Sequence, residues 1–156
     1  MGVFDFIKDV GEKLTGRDDG ADAQKEALDE RMKGNALMRR VMKLGLEVEN
    51  LRVDYDDGVA TVTGKASDQA TRERVVLAIG NTEGVAQVDD RMTVDEERDQ
   101  ATFYTVQKGD SLSKIAKEHY GDAMKYPEIF EANKPMLTDP DKIYPGQVLR
   151  IPAREN

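Results

Sequence analysis

The sequence contains no cysteine, no tryptophan and a single histidine, His119. A chain without cysteine can form neither a disulfide framework nor a thiolate metal site. No stretch approaches the ~20 apolar residues that a membrane span requires. The first residues, Met1-Gly2-Val3-Phe4-Asp5-Phe6, lack the long apolar core and the small-residue cleavage site of a secretory signal. From these absences we expect a cytoplasmic protein that does not span a membrane.

Charge is abundant but unevenly distributed. Charged residues make up 35% of the 156 positions, and the formal net charge is -8. Residues 1–100 carry 15 Lys and Arg against 23 Asp and Glu, whereas residues 101–156 carry 8 of each. The difference indicates two small modules with different surfaces. An acidic first module argues against nucleic acid and anionic lipid, which both require cationic contacts, and it favours small cations nearby.

The first 45 positions are dominated by helical patterns. Residues 3–14 predict a short amphipathic helix, with Phe4, Ile7, Val10 and Leu14 on its apolar side. A helix this short is marginal in water, so we expect it to dock on the rest of the protein. Residues 15–22 predict a flexible tether, and residues 23–33 a polar, helix-prone segment. Asn35 is predicted to cap a further helix that Gly45 ends.

Alternation of apolar and polar residues predicts three strands in the middle of the chain. The first two flank Asp56-Asp57-Gly58, which is typical of a hairpin with a tight Asp-Gly turn. Ser67 is predicted to cap a helix over residues 68–79, and a third strand follows over residues 86–94. The order α-β-β-α-β predicts a small sheet with helices on one face.

The last third of the chain predicts a second unit. The polar residues 96–102 indicate a linker, and a short strand follows at residues 103–106. Ser111 is predicted to cap the next helix, a second helix spans residues 126–133, and residues 148–151 form the closing strand. This β-α-α-β order predicts two helices on a two-stranded sheet. The whole chain is therefore predicted to be an α+β protein of two small domains.

The segment that joins the middle helix to the third strand is the most informative local feature. Its sequence, Ile79-Gly80-Asn81-Thr82-Glu83-Gly84-Val85, has a glycine near each end. Glycine permits left-handed backbone angles, which can turn successive carbonyls toward one point. A helix C-terminus also carries the negative end of the helix dipole, so such carbonyls can hold a cation. On the turn alone, a plain helix stop is the favoured interpretation, because glycines end so many helices.

Longer stretches resemble known families. The C-terminal module resembles a LysM domain over its full length, in the segments Tyr104-Thr-Val-Gln-Lys-Gly-Asp-Ser-Leu-Ser-Lys-Ile-Ala, Ile129-Phe130-Glu131-Ala132-Asn133 and Ile143-Tyr144-Pro145-Gly146-Gln147-Val148-Leu149-Arg150-Ile151-Pro152. The preceding module resembles a BON domain, in Gly58-Val59-Ala60-Thr61-Val62-Thr63-Gly64 and Val85-Ala86-Gln87-Val88-Asp89-Asp90. With the leading Met-Gly-x-Phe-x-Phe, the combination resembles the family of cytoplasmic bacterial potassium-binding proteins. It implies an N-terminal helix and tether (residues 1–22), a BON domain (23–95), a linker (96–102) and a LysM domain (103–153).

The resemblance implies a non-enzymatic, monomeric protein that binds K⁺ as a sensor or buffer. The implied ligands are main-chain carbonyls of the N-terminal helix and of the turn after the second BON helix, namely Ile7, Lys8, Val10, Gly80, Thr82 and Val85. Neutral carbonyl dipoles can replace the water shell of K⁺, whereas carboxylate-rich sites favour Ca²⁺ or Mg²⁺. Thr82 and Val85 stand where larger aliphatic residues are usual, a change that carbonyl ligation tolerates. An ion bound this way would staple the N-terminal helix to the BON domain, so binding would order the chain.

Two other motifs suggest different functions, a hydrolase and a calcium loop, but each lacks residues that the function requires. Gly109-Asp110-Ser111-Leu112 spells the signature of a hydrolase family, yet no catalytic triad can be assembled from His119, and Ser111 is better explained as a helix cap. Asp54-x-Asp56-Asp57-Gly58 hints at a calcium loop. Its glycine comes one place early, and Lys65 stands where the bidentate Glu belongs, so a hairpin turn is predicted.

One alternative function comes from a different class. A cell-wall adaptor would bind N-acetylglucosamine-containing glycan through the LysM loops at residues 109–112 and 133–143. The missing export signal argues against it, because peptidoglycan lies outside the cytosol.

Overall fold

The computed structural model describes residues 2–6, 20–96 and 101–152. The first unit comprises β1 (Gly2–Asp5), α1 (Gly20–Lys43), β2 (Val48–Asp56), β3 (Val59–Ala66), α2 (Gln69–Gly80) and β4 (Gln87–Asp90). Its four strands form one sheet in the order β1-β4-β3-β2. Strands β3 and β4 are parallel, and the other neighbouring pairs are antiparallel. The predicted order α-β-β-α-β is confirmed, with one additional strand in front of it.

That additional strand corrects the helix predicted over residues 3–14, which is wrong at its start. Strand β1 pairs with the edge of β4, with Phe4 opposite Val88. Along β1 and the next residue the side chains alternate, since Val3 is 59% exposed whereas Phe6 is 5% exposed. The edge of β4 offers backbone partners that a short isolated helix lacks, so sheet pairing overrides the helical spacing. The rest of the predicted helix lies outside the described residues.

Helix α1 corrects the predicted cap at Asn35, because it runs through that position without a break. The preceding residues include Ala, Gln, Lys, Glu, Arg and Met, which propagate a helix well. Leu37 and Val41 anchor α1 in the core of the first unit. A Cβ at Gly34 would meet the carbonyl oxygen of Val53, so glycine allows α1 to approach β2 closely. Gly45 follows the helix with a φ of 78°, which confirms the predicted stop.

The tight turn and the second helix cap lie close to their predicted places. Asp57 and Gly58 have φ values of 47° and 86°, as a two-residue hairpin turn requires. Helix α2 is capped by Asp68 instead of Ser67, since the Asp68 side chain accepts the Thr71 N–H at 2.8 Å. The helix begins one residue later than predicted, and this places the carboxylate, instead of the hydroxyl, at the capping position.

The second unit confirms the predicted β-α-α-β order. It comprises β5 (Thr102–Thr105), α3 (Leu112–Tyr120), a 3₁₀ turn (Ala123–Lys125), α4 (Tyr126–Ala132) and β6 (Val148–Ile151). Strands β5 and β6 are antiparallel. Ser111 caps α3 by accepting the Lys114 N–H, as predicted. His119 is exposed at the other end of the helix, with its ring centroid 5.2 Å from that of Tyr104 and the two rings nearly perpendicular. Among the helices of the described ranges, none has the length and hydropathy to cross a bilayer.

The two units pack against each other along α2. The Glu73 carboxylate accepts hydrogen bonds from Arg150 Nε at 2.6 Å and from the Ala101 N–H at 3.1 Å. The Arg74 guanidinium donates to two carbonyls at the C-terminus of α4, each at 3.2 Å. Val148 of β6 is 4% exposed and joins the core of the first unit. Helix α2 is therefore enclosed by both units.

Candidate metal centre

The turn after α2 begins with right-handed helical backbone angles at Asn81 and reaches a positive φ at Gly84. Asn81 follows the last helical residue with φ −81° and ψ −1°, and its N–H is bonded to the carbonyls of Leu77 and Ile79. Thr82 is held by its own hydroxyl, which donates to the Ala78 carbonyl at 2.9 Å. Gly84 has a φ of 93°, so glycine is required there, as predicted.

Gly80 is a glycine for a different reason from the one predicted. It is still helical and buried, and a Cβ on it would overlap the ring of Phe6. The sequence pattern suggested a left-handed backbone at this position. Close approach of a side chain from the start of the chain is instead what excludes a larger residue.

The turn carbonyls fall into two groups. Those of Glu83 and Gly84 accept hydrogen bonds from Lys33 Nζ at 2.8 Å and from the Tyr55 hydroxyl at 2.7 Å. The predicted ligands Gly80, Thr82 and Val85 are less engaged. Within the described residues, the carbonyl oxygen of Thr82 accepts only the Val85 N–H, at 3.2 Å. In the same ranges, no hydrogen bond reaches the carbonyl oxygens of Gly80 and Val85.

Gly80 and Val85 are both buried. Buried carbonyls nearly always have a partner, so these two oxygens fit a site that is completed from outside the described residues or by an ion.

Strand β1 brings the start of the chain to this turn. The Phe6 N–H donates to the Ala86 carbonyl at 2.7 Å, while its ring covers Gly80. The side chain of Gln87 donates to Asp5 at 2.7 Å. The remaining predicted ligands, Ile7, Lys8 and Val10, lie outside the described residues. The sequence pattern missed Phe6 as an organising residue, although it lies in the Met-Gly-x-Phe-x-Phe run that carried the resemblance.

A cluster of carboxylates lies at the β2–β3 turn. Oxygen atoms of Glu30, Asp56 and Asp57 lie within 4.8 Å of one another. Glu30 accepts the Asp57 N–H at 2.8 Å, and burial raises the pKa of this carboxyl above its ordinary value. No pattern in the sequence predicted the participation of Glu30, because only the packing of α1 across the hairpin brings it there. The Asp-rich motif forms the predicted hairpin turn.

The fold and the turn together define a class of protein. An αββαβ unit is joined to a βααβ unit, and a carbonyl-rich turn lies where they meet the start of the chain. Residues 36–96 match the BON domain family, and residues 104–152 match the LysM domain family.

Over 157 aligned residues the chain is 45% identical to the potassium binding protein Kbp of Escherichia coli O6:H1 (strain CFT073), which covers 97% of this chain and 99% of that protein. The chain belongs to the family of that protein, so the predicted membership is confirmed.

Two other relatives share only part of the chain. An uncharacterized protein of Deinococcus radiodurans is 49% identical over 70 residues, which are 44% of this chain and 27% of that protein. The uncharacterized protein YqbP of Bacillus subtilis is 40% identical over 58 residues, which are 31% of this chain and 26% of that protein. The matched segments are thus small parts of these longer proteins.

Proposed function

We propose that this protein binds K⁺ without catalysing a reaction, as a cytoplasmic sensor or buffer. The proposed ligands are the main-chain carbonyls of Ile7, Lys8, Val10, Gly80, Thr82 and Val85. A relative that is 45% identical along almost the whole chain is named a potassium binding protein. The observation that carries the proposal is the docking of Phe6 on Gly80 and Ala86.

Docking of Phe6 limits how far the next residues can lie from the turn. Consecutive Cα atoms are about 3.8 Å apart, so the Cα atoms of Ile7 and Lys8 lie within roughly 8 Å of that of Phe6. The Phe6 backbone is already hydrogen-bonded beside the turn, at Ala86. Carbonyls from the start of the chain and from the turn can therefore converge on one ion, although they are at least 70 positions apart in the sequence.

The chemistry of the turn favours a large monovalent ion. Its buried carbonyls are neutral, and Glu83, the one carboxylate within the turn, is exposed. Neutral carbonyls suit K⁺, whereas Ca²⁺ and Mg²⁺ bind where several carboxylates converge. The helix dipole places its negative end at Gly80, and the acidic surface of the first module attracts cations without ligating them.

Binding through two distant segments couples the ion to the order of the chain. The ion binds only when the start of the chain and the turn are brought together, so it stabilises the docked state. A free ion concentration of about 100 times the dissociation constant adds ~2.7 kcal/mol to the free energy of unfolding. The docked population then follows the K⁺ concentration, as a sensor requires.

A comparative ion titration tests the proposal. Ion-free full-length protein is titrated with KCl, NaCl or CaCl₂ at constant ionic strength, kept with tetramethylammonium chloride, while thermal unfolding and amide NMR spectra are recorded. We expect K⁺ to raise the midpoint of unfolding and to shift the amide signals of residues 80–85 more than the other cations do. A sodium response of equal size, or a larger calcium response, would refute it.

The carboxylate cluster supplies a matched control for this titration. Glu30→Gln combined with Asp56→Asn removes two negative charges but keeps oxygen atoms that can accept hydrogen bonds. The K⁺ response of this variant should equal that of the wild type, because the proposed ligands are untouched. Loss of the K⁺ response in this variant would show that the ion binds at the β2–β3 hairpin and not at the turn.

A second candidate function is supported by the LysM match at residues 104–152. Glycan built from N-acetylglucosamine would bind at the loops 109–112 and 133–143. Gly109 has open space around the position of a Cβ, and Ser111 is exposed, so the first loop is accessible. Calorimetric titration with N-acetylglucosamine oligomers tests this function, and the absence of any heat of binding at millimolar oligomer would exclude it.

A further inference from the structure

We propose that Asn81 is a positioning residue for the ion site, through which the LysM unit fixes the orientation of the turn carbonyls. This inference rests on the proposed function and extends it, because it gives a role in ion binding to a unit that supplies no ligand. It follows from the position of Asn81 in the turn and from the partner of its side chain.

The backbone of Asn81 lies between two of the proposed ligands. Its Cα joins the peptide plane that carries the Gly80 carbonyl to the plane that leads to Thr82. With φ −81° and ψ −1°, and with its N–H bonded to two carbonyls of α2, Asn81 sets the direction in which the chain leaves the helix. A rotation at this residue would therefore turn the carbonyls on its two sides relative to each other.

The side chain of Asn81 pairs with a peptide group of the other unit. Its Nδ2 donates to the Val148 carbonyl at 2.8 Å, and its Oδ1 accepts the Val148 N–H at 2.7 Å. The side-chain amide thus takes the place of a neighbouring strand beside β6. A third, weaker contact joins Nδ2 to the sulfur of Met136 at 3.3 Å. Few other side chains carry a donor and an acceptor with this spacing.

The partner of Asn81 is itself fixed. Val148 is 4% exposed and packs in the same apolar core as Ile79 and Val85, the residues at the two ends of the turn. Strand β6 therefore cannot shift without disturbing that core. The pairing transmits the position of β6 to the middle of the turn.

The other anchors of the turn come from the BON unit. Lys33 holds the Glu83 carbonyl, Tyr55 holds that of Gly84, and Thr82 bonds back to α2. Within the described ranges, Asn81 is the turn residue whose side chain is hydrogen-bonded to the LysM unit. A site held in its binding geometry before the ion arrives loses less free energy to ordering, so removal of this anchor should weaken binding.

The test compares two variants of the full chain that each lose hydrogen bonds between the units. Asn81→Ala removes the pairing at the turn. Arg74→Gln is the matched control, because Arg74 also donates two hydrogen bonds to the LysM unit but lies in the middle of α2, about two helical turns before the turn. We expect K⁺ affinity to fall about tenfold in Asn81→Ala, equivalent to ~1.4 kcal/mol, and to stay within about twofold in Arg74→Gln.

The ratio of K⁺ to Na⁺ affinity separates positioning from general stability. A variant that is only less stable binds both ions more weakly to the same degree, whereas a displaced carbonyl set also loses its preference for the larger ion. We expect the ratio to fall in Asn81→Ala and not in Arg74→Gln. Asn81→Gln keeps the amide but moves it by one methylene, so it should behave like Asn81→Ala. This second variant provides the test if Asn81→Ala does not fold.

Equal losses in Asn81→Ala and Arg74→Gln, or an unchanged affinity and ratio in both Asn81 variants, would overturn the inference and leave Asn81 as a docking residue alone. A wild-type protein that does not respond to K⁺ would instead refute the proposed function. The two failures are therefore distinguishable.

Discussion

Two helices of similar length, α2 and α3, are packed in different ways. In α3 the buried residues are Leu112, Ile115 and Ala116, which form one apolar stripe. In α2 eight of twelve residues are buried, among them the charged Arg72 and Glu73. Helix α3 covers one face of its own unit, whereas α2 contacts α1, three strands of its sheet and β6 of the LysM unit.

The difference shows how a helix can serve two units at once. Each charged residue buried in α2 has an oppositely charged partner: Arg72 contacts Asp90 of its own sheet at 2.8 Å, and Glu73 contacts Arg150 of the other unit at 2.6 Å. Such pairs add little net stability, but they are costly to break. The position of helix α2 is therefore set in part by buried charged pairs, whereas the buried residues of α3 are all apolar.

The largest expected effect comes from breaking the pair inside the first unit. Arg72→Ala would leave Asp90 buried without its cation, and the side chains of this pair are 6% and 4% exposed. We expect a loss of about 3–5 kcal/mol in the free energy of unfolding, measured by urea denaturation. Arg91→Ala is the control, because Arg91 pairs with Asp89 at the surface and should cost less than about 1 kcal/mol. Equal losses in the two variants would contradict the contrast between α2 and a solvated pair.

An intermediate effect is expected where the two helices end. Gly80→Ala should cost about 1–3 kcal/mol by overpacking against Phe6, and it should also weaken the K⁺ response because the start of the chain can no longer dock. Gly121, which follows α3 with a φ of 76°, has open space around it, so Gly121→Ala should cost ~1 kcal/mol through backbone strain alone.

Phe6→Ala separates these two causes. It makes room for a methyl group at Gly80, so the double variant Phe6→Ala/Gly80→Ala should lose less stability than the sum of the two single variants. In the background of Gly121→Ala the same change should be additive. Additive losses at Gly80 as well, measured by urea denaturation, would show that the ring contact is not what excludes a side chain there.

The sequence was sufficient for the elements that local chemistry determines. The Asp57-Gly58 turn, the cap at Ser111 and the closing strand β6 each follow from a few neighbouring residues, and the structure confirms them. The LysM resemblance was equally local, since it lies in contiguous segments. These features need no knowledge of what packs against them.

The remaining features depend on contacts between distant segments. Strand β1 forms because β4 offers a free edge, and Gly80 must be small because Phe6 lies on it. Neither partner can be found from a periodicity within one segment. The pairing of Asn81 with Val148 is harder still to predict, because it joins residues 67 positions apart in two units. The candidate site could be placed on the turn from the sequence, but what holds the turn could not.

The smallest and most local contrast lies in the two N-caps. Asp68 caps α2 with a carboxylate, and the bond from the Thr71 N–H lowers its pKa below the ordinary value of 3.8. A folded-state pKa below the unfolded value means that the stabilisation by charge is fully present above pH 3.8 and is lost as the pH falls through the folded pKa. Ser111 caps α3 with a hydroxyl, which does not titrate.

We therefore expect Asp68→Ala and Ser111→Ala each to cost about 1 kcal/mol near pH 7. Near pH 3, urea denaturation should show a smaller cost for Asp68→Ala and an unchanged cost for Ser111→Ala. Asp68→Asn keeps a capping oxygen without charge, so the stabilisation by this cap should no longer depend on pH. A cost of Asp68→Ala that does not change with pH would mean that the carboxylate caps α2 as a neutral acceptor does.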